Sequence, residues 1–165
     1  MAALDKMKRQ EAKSEIIERR QYVTFSIAEE LYGVDVIRAQ EVLNLSSIIK
    51  VPNTMPFMKG VIDLRGKIVP LIDMRIKFNI SERPYDKNTV IIIVEVRGLL
   101  CGLIVDSVND VISMTLEDIQ NTPHFAAEIE RDAVIGIGRE KEQLVIVLDA
   151  DKILTAEEVR IIGKD

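Results

Sequence analysis

The second half of this chain repeats the first half block by block. Residues 31–36 (LYGVDV) resemble residues 100–105 (LCGLIV), and residues 68–73 (IVPLID) resemble residues 144–149 (LVIVLD). Two shorter blocks, residues 40–43 and 61–64, have counterparts at residues 109–112 and 134–137. The separation of about 70 residues is longer than a solenoid repeat and close to the size of a small domain. The pattern therefore predicts two copies of one small unit.

The repeated blocks have the character of short β-strands. Residues 22–27 and 90–96 are rich in β-branched side chains, and the second run is apolar enough to be covered on both faces. Residues 60–74 contain two apolar runs around an Arg-Gly turn, where Gly66 supplies the positive φ of a tight hairpin. We expect Gly33 to mark a bulge or bend. The prediction is an all-β fold of duplicated barrels, because closure removes exposed strand edges.

Composition divides the chain into four segments. Residues 1–20 are dense in charge and predict a solvated tail, residues 21–85 form a first barrel subdomain, and residues 86–154 form a second. The polar run 81–88 is the linker between them, and strands could be exchanged across it. Residues 155–165 begin with Thr155-Ala156-Glu157-Glu158, a capping box that predicts a short C-terminal helix.

Bulk properties argue against several partners. The formal net charge is −5 and the basic residues form no long tract, which argues against nucleic acid. The single cysteine cannot form an internal disulfide. Because no apolar run reaches the roughly 20 residues needed to cross a bilayer, we expect a cytoplasmic protein without direct membrane insertion.

The chain offers little catalytic chemistry. Cys101 lies in an apolar run and is expected to pack in the core, while His124 follows a proline in an expected surface loop. Too few His and Cys residues are present for a zinc site. Two acidic pairs, Asp149 with Asp151 and Asp106 with Asp110, could hold a hard cation weakly, but turn capping is the simpler interpretation. We therefore predict a protein that is not an enzyme and uses no cofactor.

Separate blocks of the sequence resemble the CheW family of chemotaxis adaptors. Residues 31–36, 41–42 and 60–66, with Pro70 and residues 73–75, are similar to the first half of these proteins. Residues 102–111 and 148–154 are similar to the second half. The resemblance covers about residues 21–154 and agrees in order and spacing. It departs from the usual pattern at Asp63, where the family commonly has Asn, and at Ala39, where a bulkier apolar residue is common.

The resemblance implies a fold of two intertwined five-stranded SH3-like barrels. It also implies a scaffold that joins the cytoplasmic tips of methyl-accepting chemoreceptors to the regulatory domain of the histidine kinase CheA. Such a protein is a monomer in solution and is recruited by its partners to membrane-associated receptor arrays.

The resemblance further implies two sets of site residues. Receptor coupling would involve Arg65, Gly60, Val108 and Val111, and kinase binding would involve Val23, Val36, Ala39 and Glu41. From the residues alone, Arg65 is an ordinary hairpin-tip charge, and Val36 and Ala39 are ordinary core positions.

Three other functions stay open at this point. A CheW-like adaptor could serve a chemosensory pathway that does not control motility. A small-barrel nucleic-acid binder would need aromatic residues on a basic face, which the aromatic fraction of 4% opposes. A hydrolase or metal-assisted enzyme would need Asp149 and Asp151 to line a pocket.

Overall fold

The computed structural model describes Ala3 and residues 19–121 and 132–163 of the chain. In these residues it contains eleven strands, two short α-helices and two 3-10 turns. The strands are β1 (Arg20–Ile27), β2 (Glu30–Asp35), β3 (Ala39–Asn44), β4 (Met58–Leu64), β5 (Lys67–Asp73), β6 (Val90–Val96), β7 (Leu99–Val105), β8 (Ser107–Met114), β9 (Ile119–Gln120), β10 (Val134–Glu140) and β11 (Gln143–Leu148). The helices are α1 (Met74–Lys77) and α2 (Ala156–Ile162), and the 3-10 turns are Leu116–Asp118 and Ala150–Lys152.

The strands form two sheets, and each sheet takes strands from both halves of the chain. One sheet has six strands in the order β8-β1-β2-β11-β10-β9, and the other has five in the order β3-β6-β7-β5-β4. Strands β1 and β2 thus pair with the second half, while β6 and β7 pair with the first. The chain changes sheet at two crossovers, between β2 and β3 and between β7 and β8. The halves are intertwined rather than side by side.

The two strand orders show the duplication directly. Exchanging β1, β2 and β3 for β6, β7 and β8, and β4 and β5 for β10 and β11, converts one order into the other. Each sheet also has one parallel pair in the same place, β5 with β7 and β11 with β2. The internal repeat is therefore a repeat of topology as well as of sequence.

Both sheets close on themselves in the same way. After β3 the chain returns to β4, where Ile49 forms an isolated bridge with Val61. After β8 it returns to β10, where β9 pairs through Ile119 and Gln120. Closure satisfies backbone groups that an open edge would leave unpaired. The all-β prediction of duplicated barrels is confirmed.

Three apolar clusters fill this architecture. One lies in the five-stranded barrel around Ile91 and Ile93, and a second lies in the six-stranded barrel around Tyr22 and Val145. The largest combines buried residues of both sheets, and we call it the central core. Its members include Phe25, Tyr32, Ile72, Ile92, Val94, Phe78 and Leu148. Strand β6 alternates between a barrel core and the central core, which explains the apolar run at residues 90–94.

Most local predictions agree with the structure, with one exception. Thr155 caps α2 in a reciprocal capping box with Glu158, as the sequence indicates. Gly33 is neither a bulge nor a bend, because β1 and β2 pair in unbroken register through it. A Cβ there would lie 3.1 Å from Cγ1 of Val145 on β11, so close packing between strands accounts for the glycine. His124 lies outside the described residues.

Ion pairs fix both crossovers. Arg38, just before β3, binds Asp151 through both guanidinium nitrogens, and Asp106, just before β8, is bound by Arg75. The Arg75 contacts are 2.7 Å (Nη2 to Oδ2) and 2.9 Å (Nε to Oδ1). Each pair joins one half of the chain to the other.

Candidate functional site

Arg65 occupies the tip of the β4–β5 hairpin. Its φ is 52° and that of Gly66 is 89°, as a tight two-residue hairpin turn requires. The amide of Gly66 donates a 2.8 Å hydrogen bond to Oδ1 of Asp63. The Asp63 carboxylate thus supports this turn. The turn presents the Arg65 side chain to solvent with 71% of its surface exposed.

Arg65 is paired with Glu41 on β3. Nη1 of Arg65 lies 3.3 Å from Oε1 of Glu41, and Nη2 binds Oε2. The hydrogen bond from Arg65 holds the pKa of Glu41 below its usual value. This pair bridges the hairpin tip and the edge strand β3. It brings together one residue predicted to couple receptors and one predicted to bind the kinase.

The other residues predicted to bind the kinase belong to the central core or pack against it. Val23 is 7% exposed and belongs to the central core. Val36 and Ala39 are partly buried and pack against the same core on either side of the β2–β3 crossover. Of the four, Glu41 is the one that forms part of the exposed pair with Arg65.

Val108 and Val111 lie on β8, the edge strand of the six-stranded sheet. They are 38% and 53% exposed and leave apolar surface in contact with water. Val42 on β3 is opposite Ile92 as Val111 is opposite Val23, so it is the counterpart of Val111 in the repeat, and it is also exposed. The structure thus places Val108 and Val111 on a different sheet from Arg65.

Gly60 has a structural explanation of its own. It is buried with a φ of +147°, and a Cβ there would overlap the carbonyl oxygen of Ile49 and lie 2.7 Å from Cγ2 of Ile48. Gly136 contacts Gln120 in the same way in the other barrel. Both glycines permit the close backbone approach at which a barrel closes.

Sequence reasoning missed two exposed apolar residues beside the proposed surfaces. Ile68 on β5 is 65% exposed close to the Arg65 turn, and Ile37 is 80% exposed in the β2–β3 crossover. Leu144, the counterpart of Ile68 in the repeat, is exposed too. Ile68 points outward because successive side chains of a strand alternate in direction and Val69 is buried. Comparison of the repeated positions Ile68 and Leu144 could have drawn attention to it.

Three of the four aspartates in the acidic pairs are used by the fold. The carboxylate of Asp149 accepts from the amide of Asp151, and Asp73 caps α1 in the equivalent place. Among the described residues, no group of three or more His, Cys, Asp or Glu side chains is placed to hold a metal ion. Cys101 is fully buried, and burial raises the pKa of its thiol to about 12, far from the value of a reactive thiolate. Capping accounts for Asp149, and ion pairing accounts for Asp106 and Asp151.

Comparison with known proteins defines the class. The family model for the CheW-like domain matches residues 21–158. The chemotaxis protein CheW of Klebsiella aerogenes is 36% identical over 143 residues, covering 87% of this chain and 86% of that protein. The CheW of Thermotoga maritima is 31% identical over 143 residues, covering 84% of this chain and 89% of that protein.

A solved structure agrees with these relatives. The scaffolding protein TtCheW of Thermoanaerobacter tengcongensis matches with a TM-score of 0.76 and 38% identity, covering 84% of this chain and 94% of that one. The chain described here belongs to the CheW family. Residues 19–121 and 132–163 contain no helix long and apolar enough to cross a membrane.

Proposed function

We propose that this protein is a non-enzymatic scaffold that joins chemoreceptor tips to the regulatory domain of CheA. The observation that carries the proposal is the match of the CheW-like family model across both barrels, from residue 21 to residue 158. The protein acts in the cytoplasm as a monomer and reaches membrane-associated arrays through its partners. Its working parts are surfaces, since a scaffold holds two partners in a fixed relative geometry.

Support for two separate surfaces comes from the placement of the exposed residues. Edge strand β8 offers Val108 and Val111, an apolar stripe suited to the apolar face of a receptor helix. Edge strand β3 and the neighbouring hairpin offer Glu41, Arg65 and Ile68. A few well-packed anchor residues carry most of the binding energy in a protein interface.

Arg65 is proposed to couple the β4–β5 hairpin to strand β3 rather than to act through the hairpin alone. It lies on the hairpin, yet it is held by Glu41 of the edge strand proposed to meet the kinase. A change in partner geometry at one element would therefore reach the other through this exposed pair. Coupling of this kind requires differential contacts in two states of the assembly.

The first experiment is a binding assay with purified receptor cytoplasmic fragment and purified CheA regulatory domain. We expect both partners to be retained, and Val111→Ala to weaken receptor binding about tenfold. Val42→Ala is the matched control, because it removes the same side chain at the repeated position. Failure of the unmodified protein to retain either partner would overturn the proposal.

The second experiment tests Arg65 through kinase activation. Arg65→His should leave the circular dichroism spectrum unchanged and reduce receptor-dependent stimulation of CheA. Lys141→His is the matched control, since Lys141 has the same tip position in the β10–β11 hairpin and a similar φ of 57°. Equal stimulation by the two variants would remove Arg65 from the site.

A further inference from the structure

The ion pairs that join the two halves all have the same polarity. In the described part of the chain, every basic member comes from residues 21–85, and every acidic member comes from residue 86 onward. The pairs are Arg38 with Asp151, Arg75 with Asp106, Arg83 with Asp106 at 3.6 Å, and Lys77 with Glu158 at 3.3 Å. Arg75 and Asp106 leave only 13% of each side chain exposed.

Two of these pairs are counterparts of each other with the charges reversed. Arg75 follows the capping residue Asp73 by two positions, and Asp151 follows the capping residue Asp149 by two positions. Each binds the residue that enters the edge strand of the other half, Asp106 before β8 and Arg38 before β3. The match is offset by one residue. Arg38 lies one position before Ala39 on β3, whereas Asp106 lies two positions before Val108, the counterpart of Ala39 on β8.

This arrangement matters because the halves share one topology. Since β1, β2 and β3 correspond to β6, β7 and β8, the first half of one copy could in principle pair with the first half of another. Such a pairing would bring Arg75 against Arg38. Pairing of two second halves would bring Asp151 against Asp106. Like charges in these partly buried places are destabilising.

We propose that the distribution of charge in these ion pairs, with arginine on the first half and aspartate on the second, determines which half pairs with which. The surface concerned is the interface between the halves, and the partner it fits is the opposite half. The first and second halves of one chain thereby pair with each other. Two first halves, or two second halves, from different copies do not. The bonds from Arg38 also lower the pKa of Asp151 to about 2, so the charges persist at neutral pH.

The test uses the full chain with Arg83→Gln in every protein, because Arg83 also lies 3.6 Å from Asp106, and it exchanges the remaining paired charges without changing their number. Arg38→Asp with Asp151→Arg keeps opposite charges in both intramolecular pairs, but gives each half one arginine and one aspartate among these four positions. Pairing of like halves is then electrostatically matched, and we expect a species of twice the monomer mass after refolding at high protein concentration. Exchange at both pairs (Arg38→Asp, Asp151→Arg, Arg75→Asp and Asp106→Arg) segregates the charges again and should restore the monomer.

Light scattering after size exclusion gives the dimer fraction of each protein. A dimer can also form when the first half of one copy pairs with the second half of another. The charges are matched in such a dimer for every protein tested, so it adds the same background to each dimer fraction. The two-pair variant controls for disruption of the fold by the substitutions themselves, because it contains every substitution of the one-pair variant. Arg75→Asp with Asp106→Arg is a second one-pair variant at the less exposed pair. The proposal is overturned if either one-pair variant is folded and as monomeric as the two-pair variant.

Discussion

At the scale of single residues, the glycines at the points of closure and at the hairpin tip are under two different constraints. Gly60 and Gly136 have no room for a Cβ, because the backbone of the returning chain lies against them. Gly66 has a positive φ, but a Cβ added to it would meet no heavy atom within 4 Å, so its constraint is conformational alone. Replacing Gly60 should therefore cost more stability than replacing Gly66.

Gly60→Ala should lower the free energy of unfolding by about 3 kcal/mol, because a steric overlap is added to an unfavourable φ. Gly66→Ala should lower it by about 1 kcal/mol, which is the cost of the φ alone. Urea denaturation followed by circular dichroism measures both. Equal losses in the two variants would contradict the steric argument. This result also decides whether a receptor-coupling defect in a Gly60 variant reflects binding or folding.

At the scale of elements, the crossovers depend on carboxylates whose charge is stabilised by arginine. The hydrogen bond from Arg38 and the bond from the amide of Arg97 lower the pKa of Asp151 from 3.8 to about 2. For Asp106, burial raises the pKa, but bonds from Arg75 and the amide of Ala28 outweigh burial and lower it. A carboxylate with a lowered folded-state pKa adds stability above its unfolded pKa and loses it as the pH falls through the folded value.

Asp151→Asn should therefore destabilise the protein by about 1 kcal/mol near pH 7, after allowance for solvent screening of this partly exposed pair. The difference from wild type should shrink as the pH falls from about 4 to about 2. Urea midpoints at about pH 7 and about pH 3 measure it. Arg38→Gln should show the same narrowing, since it breaks the same bond. A difference that stays constant with pH would contradict the ion-pair account.

The elements themselves could be predicted from sequence, but their partners could not. The alternation of residues 22–27 and the apolar run 90–96 indicate strands because side-chain period and burial are local properties. The pairing of β11 with β2, or of Arg65 with Glu41, depends on contacts between distant segments that several apolar strands could satisfy equally. The predicted bulge at Gly33 is wrong for the same reason, since packing of this glycine against Val145 of the second half is invisible locally.

At the scale of the whole molecule, the two barrels are joined more closely than two domains on a linker. The central core takes buried residues from both sheets, and each sheet takes strands from both halves. Opening one barrel therefore exposes residues that the other barrel needs. The molecule should unfold as one cooperative unit.

Ile91→Ala tests this expectation, because Ile91 is fully buried in the five-stranded barrel. The loss of a large buried side chain should cost about 2–5 kcal/mol. We expect a single transition in calorimetry, and hydrogen exchange should accelerate equally in both barrels. Val145→Ala, in the other barrel, should give the same pattern with a smaller loss. Two separate transitions in either variant would show that the barrels unfold independently.

The central core also sets the angle between the barrels, with consequences beyond the single molecule. Phe25, Ile92 and Val94 are fully buried and touch no solvent, yet their packing decides how one barrel is inclined to the other. In a lattice built by repeating this scaffold, a small inclination error would add up from one unit to the next. The spacing and curvature of such a lattice would then depend on buried side chains that lie outside every partner interface.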